Sequence, residues 1–152
     1  MNLQVLTGKV ALVTGASRGI GRGIAHVLVE NGVTVYITGR EHKESNDYKN
    51  VMETAAELNK LGCGKCIGVF CDHKNDEDTK KVFDQIKKNE DKLDILVNNA
   101  FSMLDLKDEL SEKMFWKKDA SLMWDKTINV GLRSNYIASC MALELMMPKK
   151  KG

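Results

Sequence analysis

Apolar positions in this chain come in short continuous runs that alternate with longer stretches of helical period. Lys9–Val13 ends in an unbroken apolar run, which predicts a strand buried on both faces. From Gly19 to Asn31, Ile20, Ile24 and Leu28 recur at i+4 with Val27 beside them, which predicts a helix with that stripe turned inward. Asn31-Gly32 supplies its stop. Val33–Thr38 is β-branched and aromatic and reads as a second strand. Ser45–Leu61 reads as a second helix with Val51, Ala55 and Leu58 buried. Cys66–Phe70 is a third strand, Asn75–Lys88 a helix built on Val82, Phe83 and Ile86, and Leu93–Val97 a fourth strand. A long stretch, Phe101–Ala120, has no clear period. Ser121–Met147 then repeats Trp124, Ile128, Leu132, Tyr136 and Cys140, which predicts one long helix stopped by Pro148.

Strands alternating with helices in this way predict a doubly wound α/β fold: a parallel sheet, right-handed crossovers and helices on both faces. The 152 residues suit a single domain over 1–152. Apolar residues at 43% and charged ones at 29% place the chain among globular proteins. Its 23 basic and 21 acidic residues leave a net charge of +2, with no field suited to nucleic acid or a polybasic membrane patch. No run reaches the ~20 apolar residues of a membrane span. The amino terminus has no secretory pattern, so a cytoplasmic protein with free thiols is expected.

One stretch carries chemistry. Thr14-Gly15-Ala16-Ser17-Arg18-Gly19-Ile20-Gly21 lies between the first strand and the first helix. A glycine-rich turn there aims the unpaired N–H groups and partial positive charge of a helix start at whatever lies above the sheet, an arrangement suited to a diphosphate. Gly15 allows the tight turn, Gly19 the close approach of an anion, and Gly21 close packing of helix on strand. A ligand-free turn is the alternative, and the flanking strand and helix weigh against it.

The same eight residues resemble the cofactor motif of the short-chain dehydrogenase/reductase family. Two further stretches fit that resemblance in order: Asp72 after the third strand, and Asn98-Asn99-Ala100 after the fourth, similar to the family's Asn-Asn-Ala-Gly. The resemblance implies a Rossmann-like sheet of order 3-2-1-4 that binds a nicotinamide dinucleotide. The implied binding residues are Gly15, Ser17, Arg18, Gly19, Ile20, Gly21, Arg40, Asp72, Asn98, Asn99 and Ala100. It also implies a small carbonyl or alcohol substrate for a longer form and a homodimer through the helix at 121–147. Two positions depart from the family pattern: Phe101 stands where Gly is usual, and Gly131 where Asn is usual.

The second strand ends Thr38-Gly39-Arg40, with no carboxylate to hold a ribose 2′-hydroxyl. Arg40 and Arg18 instead suit a 2′-phosphate, so NADP(H) is expected over NAD(H). The family's Tyr-x-x-x-Lys is absent: Tyr36, Tyr48 and Tyr136 are followed four residues on by Arg40, Met52 and Cys140. No catalytic residue is therefore assigned. The chain reads as the cofactor-binding front half of an NADP(H)-dependent oxidoreductase, incomplete at its C-terminus. A non-catalytic nucleotide-binding or partner-regulating module is the alternative reading. Cys63 and Cys66 have C-x-x-C spacing without a second pair, and His26, His42 and His73 are scattered, so no metal site is expected.

Overall fold

The computed structural model describes residues 6–41, 50–102 and 114–150. Val10–Val13 forms strand β1, and all four of its residues are buried. It lies between β2 (Thr34–Gly39) and β4 (Ile95–Val97), with β3 (Lys65–Phe70) beyond β2. The sheet order is β3-β2-β1-β4, as the resemblance implies, and every pairing is parallel, as the alternation of elements predicts. Successive side chains along a strand take opposite faces. Ala11, Val13, Val35 and Ile37 meet helices α1 (Gly19–Glu30) and α2 (Val51–Asn59) through Ala25, Val29, Val51, Ala55 and Leu58. Val10, Leu12 and Tyr36 meet α3 (Asp76–Glu90) through Val82, Phe83 and Ile86. Each buried Val, Leu, Ile or Phe here contributes roughly 1.5–3 kcal/mol, so a one-residue slip in register would expose an entire face.

Local chemistry sets the ends. Asn50 caps α2 and Glu53 returns the bond to the Asn50 N–H, a reciprocal capping box. The predicted start of that helix at Ser45 lies outside the described residues. Asn75 caps α3, and acidic residues fill its first turn. The Asn59 amide both donates to the carbonyl of Cys66 and accepts from its N–H, covering the outer edge of β3 there. Asp94 accepts from Lys9 Nζ and the Val10 N–H, each at 2.9 Å, and ties the start of β4 to β1. Burial pushes the Asp94 carboxyl upward, but these bonds outweigh it and hold it below the usual range.

Two helices differ from expectation. The α1 stripe is only half kept: Ile24 and Leu28 pack partly buried against the core, but Gly21, Ala25 and Val29 hold the innermost line, while Ile20 and Val27 are 79% and 55% exposed. At Gly21 the inner face is held to glycine because α1 starts close against the turn. A Cβ on Gly21 would stand 2.9 Å from Ala16 Cα. The long C-terminal helix is also broken into parts. Helix α4 (Ala120–Ile128) passes into a π-helical turn, Asn129–Arg133, and then α5 (Ser134–Met146). Pro148 sits inside a closing 3₁₀ turn, Met147–Lys149, rather than ending the helix outright. Ser134 Oγ donates to the Val130 carbonyl and Asn135 Nδ2 to that of Gly131, satisfying carbonyls that the wider turn loosens. Ala138, Ala142 and Leu145 face the sheet, and the predicted stripe of Trp124, Leu132 and Tyr136 faces outward.

Candidate functional site

The glycine turn is built by its neighbours. Thr14 Oγ1 accepts from the N–H groups of Asn99 and Ala100 at 2.9 and 3.0 Å. Asn99 Nδ2 donates to the carbonyls of Thr14 and Gly15 at 2.8 and 3.0 Å. The ends of β1 and β4 are therefore stapled in both directions. Gly15 has φ +65°, and a Cβ there would lie 2.8 Å from Ala100 Cα, so both conformation and space demand glycine. On the other side, the Gly15 N–H donates to Thr38 Oγ1 and the Ala16 N–H to the Thr38 carbonyl. Thr54 Oγ1 holds the Ser17 carbonyl from α2. Helix α1 begins after Arg18 with no side-chain cap and no acidic residue in its first turn. Its first N–H groups and its positive end thus open beyond the helix.

What they open into is a cavity of about 650 Å³. Among the residues that the sequence singles out, Gly15, Ser17, Arg18, Gly19, Ile20, Gly21, Arg40, Asp72, Asn99 and Ala100 line it. Asn98 does not. Its amide donates to Ser139 Oγ at 2.9 Å and to the Asn135 carbonyl at 3.3 Å, so it fastens β4 to α5 instead. Successive residues after a strand point to opposite sides, which separates Asn98 from Asn99. Asp72 accepts from the Lys74 N–H and so braces its own loop.

The cavity also takes residues that the sequence did not assign to it. Gly39 lines it, and a Cβ at that position would crowd Ser17 Cβ at 3.1 Å and Val51 Cβ at 3.2 Å. A side chain there would need Ser17 and Val51 to give by a few tenths of an ångström. His73, considered from the sequence only as a metal ligand, is 6% exposed. Its Nε2 lies 2.8 Å from Thr38 Oγ1 and its Nδ1 3.2 Å from Thr79 Oγ1. With Thr38 Oγ1 accepting from Gly15, a neutral ring that accepts at Nε2 and donates at Nδ1 completes the chain. Burial lowers the His73 pKa from 6.5 to about 4, against the opposing pull of Asp72 and Asp78. The imidazole therefore braces the glycine turn as a neutral group. Its proximity to Asp72 was the available signal.

At the β4 end the lining carries the apolar residues Ala100, Phe101 and Val130 beside the buried Ser102. The π-helical turn that carries Val130 is held over the sheet by a two-pronged ion pair from Arg133 to Asp76, at 2.7 and 2.6 Å. Cys66 is buried in β3, and burial pushes its thiol up to about 12, which leaves no thiolate for redox exchange near neutral pH. No group of three or more His, Cys, Asp or Glu among the described residues is placed to hold a metal. No helix among them is long and apolar enough to cross a membrane.

Comparison with known proteins agrees with this architecture. The family profile described as short chain dehydrogenase matches residues 9–152. The chain is 43% identical over 148 residues to Dehydrogenase/reductase SDR family member 1 of Mus musculus, across 97% of this chain and 45% of that protein. It is 37% identical over 147 residues to the 3-oxoacyl-[acyl-carrier-protein] reductase FabG of Aquifex aeolicus, across 97% of this chain and 54% of that one. A crystal structure of a short chain dehydrogenase from Mycobacterium smegmatis superposes with a TM-score of 0.75 at 30% identity, covering 95% of this chain and 54% of the other. The chain thus spans about half the length of the relatives it matches. Its parallel sheet, its glycine turn and the profile match over nearly all of its residues agree: this chain belongs to the short-chain dehydrogenase family.

Proposed function

We propose that these residues form the cofactor-binding part of an NADP(H)-dependent oxidoreductase that interconverts a carbonyl and an alcohol. One observation carries the reading. The uncapped start of α1 opens through the glycine turn into a cavity with Arg18 and Arg40 among its walls. At about 650 Å³ it falls in the ~300–1,000 Å³ range of cofactor sites. The residues fit a dinucleotide by their chemistry. Main-chain N–H groups near Gly19 and Ile20 would bind the diphosphate, and a Cβ on Gly19 would meet nothing within 4 Å, so the approach is open. Asp72 would hold the adenine amino group, and Asn99 keeps the turn in shape. When bound, the reduced nicotinamide supplies hydride. The sequence has no Tyr-x-x-x-Lys, so no residue here is assigned the proton. The reductase name of the FabG relative supports a carbonyl substrate.

Preference for the 2′-phosphate rests on Arg18 and Arg40 together with the absence of a carboxylate at Gly39, where a side chain would also be tight. A charge-assisted hydrogen bond is worth ~1.5–3 kcal/mol, or roughly ten- to hundredfold in affinity. Arg40→Ala should weaken NADPH binding by about that factor in a fluorescence titration and leave NADH binding nearly unchanged. Equal losses for both would reject the phosphate role. We also place a second copy of the chain against the outward stripe of Trp124, Leu132 and Tyr136, each more than 60% exposed. Sedimentation equilibrium should show concentration-dependent dimers that Leu132→Glu abolishes; a wild-type monomer throughout would exclude the contact.

A further inference from the structure

We propose that Phe101 and Gly131 are a matched pair that sets what the β4 end of the cavity accepts. The Phe101 ring takes the space that a side chain at 131 would fill, and it offers an aromatic surface to a flat ring. On the reading given above, that ring is the nicotinamide of the dinucleotide.

The two positions at which the sequence leaves the family pattern are in contact. A Cβ on Gly131 would stand 2.9 Å from both Cδ2 and Cε2 of Phe101. Carbon atoms pack comfortably at about 3.5–4.0 Å, so even alanine at 131 must displace the ring. Nothing in the backbone asks for glycine there. Gly131 lies in the middle of the π-helical turn and is not among the glycines with positive φ. The ring alone accounts for it. Phe101 itself is 51% exposed and lines the cavity. Its neighbours in the lining, Ala100, Ser102 and Val130, are 7%, 3% and 6% exposed, so the Phe101 ring is the accessible part of this wall. The opposite end carries Arg40 and Asp72. A ligand whose diphosphate sits on the glycine turn and whose phosphorylated adenosine faces Arg40 leaves only the Phe101 end for its nicotinamide ring. The Asn135 and Ser134 bonds to the π-helical turn, and the Arg133–Asp76 pair, keep Gly131 seated under the aromatic ring.

Calorimetric titration with two ligands tests this: NADP⁺, and 2′-phospho-ADP-ribose, which is the same molecule without its nicotinamide. Phe101→Ala should weaken NADP⁺ by about two- to tenfold, the worth of one aromatic contact, and leave 2′-phospho-ADP-ribose unchanged. Phe101→Tyr should retain both affinities. Thermal melting tests the pairing. Gly131→Ala should lower Tm when Phe101 is present and raise it in a Phe101→Gly background, where the helix-favouring alanine meets no ring. Equal losses for the two ligands, no loss for either, or a Gly131→Ala effect of the same sign in both backgrounds would overturn the pair. Failure of the wild-type chain to bind even 2′-phospho-ADP-ribose would instead overturn the dinucleotide reading on which the pair rests.

Discussion

His73 should make the stability of this protein depend on pH between about 4 and 6.5. In the native state the ring is buried between Thr38 and Thr79, and its pKa falls from 6.5 to about 4. The unfolded chain takes up the proton near 6.5, the native chain only near 4. Between those values the unfolded state binds more protons, so stability falls as pH drops through the window and is flat above it. The gap of 6.5 − 4 = 2.5, at about 1.36 kcal/mol per pH unit, amounts to roughly 3 kcal/mol. Against a typical total of ~5–15 kcal/mol this is a large share. Asp94 does not confuse the measurement. Its carboxyl is held below the usual range, so its contribution is present above the unfolded value of 3.8 and is lost below the His73 window. Urea unfolding followed by circular dichroism, from pH 4 to 7.5, should be run on the wild type and on His73→Gln. The wild type should lose roughly 3 kcal/mol more than the variant across the window. Parallel pH profiles would refute the buried neutral imidazole, and with it the brace from Thr38 to the glycine turn.

The other predictions bear on the ligand, the assembly and the turn. The Arg40→Ala selectivity, the Phe101–Gly131 coupling and the Leu132→Glu loss of dimers follow from the geometry already given. Asn99→Ala should also destabilise the chain by about 1–3 kcal/mol. It leaves the Thr14 and Gly15 carbonyls without the amide that bonds them at 2.8 and 3.0 Å. An unchanged urea midpoint would show that water replaces that amide without cost.

Periodicity alone settled the alternation of strands and helices as far as β4 and the parallel class, because burial on both faces of a strand, as in β1, leaves an unbroken apolar run that no amphipathic helix shows. Thr14–Gly21 announced its turn for a similar reason: glycine is chosen by backbone and close approach, both local, and Gly15 and Gly21 do sit where a Cβ would collide. Pattern could not say which way a helix rolls. Ile20 and Val27 matched the inward period as well as Ala25 and Val29 did, and only the packing of α1 against the turn and the sheet put Gly21, Ala25 and Val29 innermost. Nor could spacing separate Asn98 from Asn99. One bonds to α5 and the other to the glycine turn because the chain end of β4 passes between two layers. His73 became a brace and Phe101 a wall only through Thr38, Thr79 and Gly131, which are 6 to 35 residues distant in the chain. Such contacts are set when the sheet closes and its crossovers pack, and no local run of residues encodes them.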